Sequence, residues 1–120
     1  MNRSDSLEQL REELAEFARE RDWEQFHSPK NLSMALIAEA AELVEHFQWL
    51  SEAQSCNLPP EKLEEVRLEL ADIQIFLIRI ADRLGLDLVQ AAQDKTRINR
   101  SRFPVEKVHG RAGRGVDFSD

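Results

Sequence analysis

The stretch from Pro60 to Gly85 constrains this chain more than any other. Leu63, Val66, Leu70, Ile73, Leu77, Ile80 and Leu84 recur at alternating spacings of four and three, an apolar stripe along a helix. Pro60 suits a first helical turn and Gly85 a C-terminal cap, so the pattern predicts a helix over 60–84. Ala71, Ile75 and Ile78 fill the side away from the stripe. A helix apolar on every side is buried on every side. A chain of 120 residues builds only one small core, and short helical chains commonly cover the remainder by oligomerising.

Three more helices follow from period and punctuation, and no strand does. Leu7, Leu10, Leu14 and Phe17 predict an amphipathic helix over about 6–21, capped by Ser4 or Asp5. Ser28 and Pro29 open a second over about 29–52. Its Leu36, Ile37, Ala40, Leu43, Val44 and Phe47 form a core-facing side, and Trp49 follows at helical spacing on the side of Glu39 and Glu42. Asp87 caps a fourth over about 88–101, which Pro104 ends. The expected class is all-α, a four-helix-bundle-type fold. One domain spans 1–104, and a flexible tail with three glycines spans 105–120.

Charge and cysteine usage exclude several functions. A net charge of −7 gives no basic footprint for a nucleic acid polymer. No apolar run is long enough to span a membrane, and "MNRSDSLEQL" lacks a signal core, so the expected location is the cytoplasm. The one cysteine, Cys56 in "SCNLPP", has no activating neighbour and is not read as a nucleophile.

The chemistry lies in two pairs of acids set into apolar helices. Glu39 and Glu42 stand three apart in "EAAE", and Glu69 and Asp72 three apart in "ELAD". Residues three apart share a helix face. If the second and third helices pack antiparallel across their short linker, the two pairs face each other. Converging carboxylates in a half-buried place need protons or cations. Oxygen-only donors favour Mg²⁺, with Mn²⁺ as the alternative, and Mg²⁺ held by few carboxylates takes phosphate oxygens as further ligands. The plainer reading is a solvated acidic face, with Arg79 as a counter-charge to it. A di-iron Glu-x-x-His motif fails because Leu43 lies three residues before His46; His-Glu-x-x-His and Gly-rich phosphate loops are absent.

"EAAE" and "ELAD" resemble the ExxE…ExxD pattern of the MazG-like all-α nucleoside triphosphate pyrophosphatases. "ERDWEQFHSPKNL" (20–32), "FQW" (47–49) and "KTRINRSRFP" (95–104) resemble the dCTP pyrophosphatase branch of that superfamily. The resemblance covers about residues 10–104. It implies Mg²⁺-dependent hydrolysis of a nucleoside triphosphate to monophosphate and pyrophosphate, in a helical bundle completed by a second subunit, as a dimer or tetramer. Glu39, Glu42, Glu69 and Asp72 would be metal ligands, with Glu42 or Glu39 taking the proton of the attacking water. Trp23, Trp49, His27 and Phe76 would border the base, and Lys95 and Asn99 would reach phosphates or sugar. Leu14 and Phe76 stand where the vertebrate-type members carry histidine and tyrosine. Without the resemblance, both tryptophans read as core or interface, and the alternative function is a non-catalytic helical oligomer that binds nucleotide or a protein partner.

Overall fold

The computed structural model describes residues 3–111, with side chains from residue 6 onward. Among them there are helices and turns but no strand, as the periodicity predicts. The elements are α1 (Arg3–Glu20), a 3₁₀ turn (Glu24–Phe26), α2 (Pro29–Glu45), α3 (Glu52–Ser55), α4 (Pro60–Leu84), α5 (Leu88–Arg102) and α6 (Val105–Val108). The chain divides after Leu86 into two compact units. The first holds α1 to α4, and the second holds α5 and α6. No helix among the described residues is long and apolar enough to cross a membrane.

Local chemistry sets most helix ends. The Ser28 side chain accepts from the Asn31 amide at 3.1 Å and caps α2, with Pro29 in the first turn. Asp87 accepts from the Gln90 amide at 3.0 Å and caps α5. Gly85 ends α4 at φ 68°, the left-handed conformation that glycine adopts without a steric penalty. α1 begins at Arg3, so Ser4 and Asp5 lie inside its first turn rather than before it. Its other end turns at Asp22, φ 54°, one of the few side chains tolerated there.

α2 stops at Glu45, well short of the expected residue 52. The amides of His46 and Phe47 bond to carbonyls three residues back, Leu43 and Val44, which tightens the chain out of the α-helical ladder. Ser51 and Gln54 then form a capping box that opens α3. Trp49 therefore lies between two helices, not on one. Residues 105–108 of the expected tail form a helical turn, and 112–120 lie outside the described residues.

In the first unit α2 packs on α4 and α1 on α4. The α2–α4 pair is antiparallel: His46 meets Lys62 and Glu65 near the linker, and Glu39 meets Glu69 and Asp72 further along. Ala18, Leu32, Val66, Ile78 and Ala81 form the buried core. Ile37 and Val44, expected on the core side of α2, are exposed, because α2 turns only one narrow face to α4. Leu63, Leu70, Leu77 and Leu84 are also exposed, a row at intervals of seven along α4. Burial of α4 on every side is therefore not achieved within one chain.

Candidate active site

Antiparallel packing brings together acids that lie about thirty residues apart in sequence. Glu39 on α2 and Glu69 on α4 are half-buried, and Asp72 is exposed. One carboxylate oxygen from each lies within 4.8 Å of the other two. Ala35, one turn before Glu39, keeps this face of α2 low, and the alanines of this stretch hold good helix propensity. Glu42 is exposed one turn further along α2.

Glu69 is the most perturbed group. Its Oε1 is buried and, among the described residues, meets no hydrogen-bond donor. The neighbouring Glu39 carboxyl, loss of solvent and then the Glu42 carboxyl push its pKa up to about 8. An acceptor enclosed by acceptors is stable only with a proton or a cation between them. The donor set is all oxygen, so these residues fit a hard divalent cation.

A second cluster forms where α1 hands over to α2. The left-handed turn at Asp22 lets the Trp23 amide bond to the Ala18 carbonyl at 2.9 Å, which lays the indole back against α1. Trp23 meets Phe17 edge-on at 5.7 Å and the His27 ring at 6.4 Å, and remains partly exposed. His27 is half-buried, and its Nδ1 accepts from Arg79 Nε at 3.4 Å. Burial, then the Arg79 and Arg83 charges, lower its pKa against a smaller opposing pull from Glu24.

Phe76, Trp49, Lys95 and Asn99 are the remaining expected site residues. Phe76 is half-buried on α4, one turn beyond Asp72. Trp49 is 87% exposed and, among the described residues, makes no ring contact with Trp23 or His27. Lys95 is exposed and Asn99 half-buried, one turn apart on α5 in the second unit.

Arg79 departs from the expected role. It is 3% exposed, and its partners are Asp82 and His27 rather than the Glu69–Asp72 stripe. The reason is distance along the helix: Asp82 lies one turn from Arg79, about 4.5 Å along the axis, whereas Asp72 lies almost two turns and about 10 Å back, although on nearly the same face. Arg11 of α1 joins the same Asp82 at 2.9 Å, a long-range pair that the sequence reading missed. The only signal was an arginine and an aspartate three apart within the apolar run "IRIAD".

The MazG-like family model matches residues 35–118. The chain is 44% identical over 115 residues to dCTP pyrophosphatase 1 of Mus musculus, covering 94% of this chain and 68% of that protein. It is 44% identical over 102 residues to dCTP pyrophosphatase 1 of Homo sapiens, covering 83% and 60% respectively. A pyrophosphatase from Archaeoglobus fulgidus of known structure superposes with a TM-score of 0.78 at 33% identity, over 82% of this chain and 93% of that one. With α2 and α4 carrying the paired acids of ExxE…ExxD face to face, this chain belongs to the MazG-like family, and its enzyme class is nucleoside triphosphate pyrophosphatase.

Proposed function

We propose that the chain hydrolyses dCTP or a modified dCTP to the monophosphate and pyrophosphate, with Mg²⁺ held by Glu39, Glu42, Glu69 and Asp72, and so clears the cytoplasmic nucleotide pool. The observation that carries this reading is the buried Glu69 Oε1 without a donor, flanked by the Glu39 and Glu42 carboxyls. A merely solvated acidic face has no such atom. When bound, the cation supplies positive charge that polarises phosphate oxygens and water. The name of the relatives at 44% identity supports the choice of base.

The chain's own groups divide the remaining work. Glu42, exposed at the edge of the cluster, is assigned the proton of the attacking water, with Glu39 beside it. The water oxygen bonds to the α-phosphorus, the bond from that phosphorus to the α–β bridging oxygen breaks, and pyrophosphate leaves with the bridging oxygen. Trp23, Trp49 and Phe76 are assigned to the base by stacking, which suits any base because each has a π face. His27 is assigned to the pocket edge, and Lys95 and Asn99 to phosphates or sugar. A homo-dimer or tetramer covers the exposed Leu63, Leu70, Leu77 and Leu84 row.

The test is a screen of all ribo- and deoxyribonucleoside triphosphates with pyrophosphate detection, with Mg²⁺, with Mn²⁺ and with chelator. Turnover that needs a divalent cation and favours dCTP supports the reading. No turnover with any triphosphate in Mg²⁺ refutes it and leaves the non-catalytic oligomer.

A further inference from the structure

We propose that Arg79 is a positioning residue that holds His27 as a neutral ring with its proton on Nε2, so that the imidazole offers a hydrogen-bond donor beside Trp23. A guanidinium can only donate hydrogen bonds. It has five N–H donors and no acceptor. Arg79 Nε lies 3.4 Å from His27 Nδ1, so that nitrogen must accept. A neutral imidazole with an accepting Nδ1 carries its proton on Nε2.

The arrangement is fixed from behind. Arg79 Nη1 donates to Asp82 Oδ2 at 3.0 Å, and Arg11 Nη1 donates to Asp82 Oδ1 at 2.9 Å. Asp82 thus holds two guanidinium groups, one from α1 and one from α4. The chain of contacts Arg11–Asp82–Arg79–His27 ties α1 and α4 to the segment that carries Trp23. Charged groups facing His27 are Arg79 and Arg83 from α4 and Glu24 from the 3₁₀ turn. Burial, and then two cations against one anion, disfavour a second proton on the ring.

The site carries a cost that packing alone does not require. Arg79 Nη2 is buried and, among the described residues, has no hydrogen-bond partner. A buried arginine with an unmet donor is less stable than an apolar residue of similar volume. The directional Nε–H toward His27 is the feature an apolar side chain cannot supply. An Nε2–H donor matches an acceptor on the bound molecule. For a nucleotide this is a base carbonyl, a base ring nitrogen or a phosphate oxygen, and this last step rests on the proposed function.

¹⁵N-histidine NMR of the whole protein at neutral pH reads the tautomer directly, with His27 assigned by its loss in His27→Ala. The expected spectrum shows a non-protonated Nδ1 and a protonated Nε2. A protonated Nδ1, or an imidazolium, overturns the proposal whether or not any variant folds. Arg79→Lys should give a tautomer mixture and raise KM about two- to tenfold, the range for one hydrogen bond, with kcat little changed. On a His27→Ala background it should add nothing, since both changes remove the same interaction. An undiminished KM penalty there overturns the proposal, as does a normal KM in His27→Ala. A His27→Ala penalty that varies with the base puts the acceptor on the base, and an equal penalty puts it on the phosphates; both support the donor. If the protein turns over no triphosphate, the proposed function fails, while the spectrum still decides how Arg79 holds His27.

Discussion

Trp49→Ala separates binding from stability because of where the structure leaves this side chain. Trp49 is 87% exposed between α2 and α3. Truncating it in a single chain removes almost no packing, so the stability change should stay within about 0.5 kcal/mol, the range for surface substitutions. That corresponds to a Tm change of at most about 2–4 °C for a domain of this size. A buried tryptophan would instead cost about 3–5 kcal/mol on truncation. Base stacking contributes about 1–3 kcal/mol, and each 1.4 kcal/mol is about tenfold in an equilibrium constant. The expected result is KM for dCTP raised roughly ten- to hundredfold, with kcat at saturation nearly retained. Trp49→Phe keeps a π face and should be milder. The assay measures KM, Tm and light scattering on one preparation. A normal KM refutes the stacking role. A Tm fall of more than about 10 °C with loss of the oligomer would show that Trp49 is packed between subunits instead.

Glu39→Gln and Asp72→Asn each remove one charged oxygen ligand, so turnover should fall by orders of magnitude while circular dichroism stays helical; unchanged turnover in either refutes the four-carboxylate site. The metal-free protein should lose stability as pH rises from 4.5 toward about 8, because the folded-state pKa of Glu69 lies above its unfolded value and its ionised form is disfavoured in the fold. Thermal melts across that window should show the slope, Mg²⁺ should reduce it, and Glu69→Gln should flatten it. Light scattering at micromolar concentration should show a dimer or tetramer, and Leu70→Glu, which puts a charge in the exposed leucine row, should shift it toward monomer; a wild-type monomer refutes the assembly.

The helices were legible because their signals are local. Ser28, Pro29, Gly85 and Asp87 act within one turn of where they stand, and each caps or opens the helix expected of it. α2 is the exception: the His46 and Phe47 amides turn to carbonyls three residues back, and the Ser51–Gln54 reciprocal cap then opens α3, neither of which apolar periodicity reveals. The carboxylate pairs were legible as pairs, since a spacing of three fixes a shared face.

What the sequence alone determined was which residues share a face: Glu39 with Glu42, Glu69 with Asp72, and the leucines of α4 with one another. The short linker pointed to the two acid faces meeting, and the tertiary structure decided how closely and in what register they do. The register of α2 against α4 brought Glu39 within 4.8 Å of Glu69 and Asp72, and left one Glu69 oxygen enclosed without a donor. It also turned Arg79 inward to Asp82 and His27, away from the acids it was expected to balance, and left Trp49 in solvent. The physical reason is that helical period specifies an angle around one axis. The distance between two axes, and the slide of one along the other, come from packing residues far apart in the chain, and no local pattern encodes them.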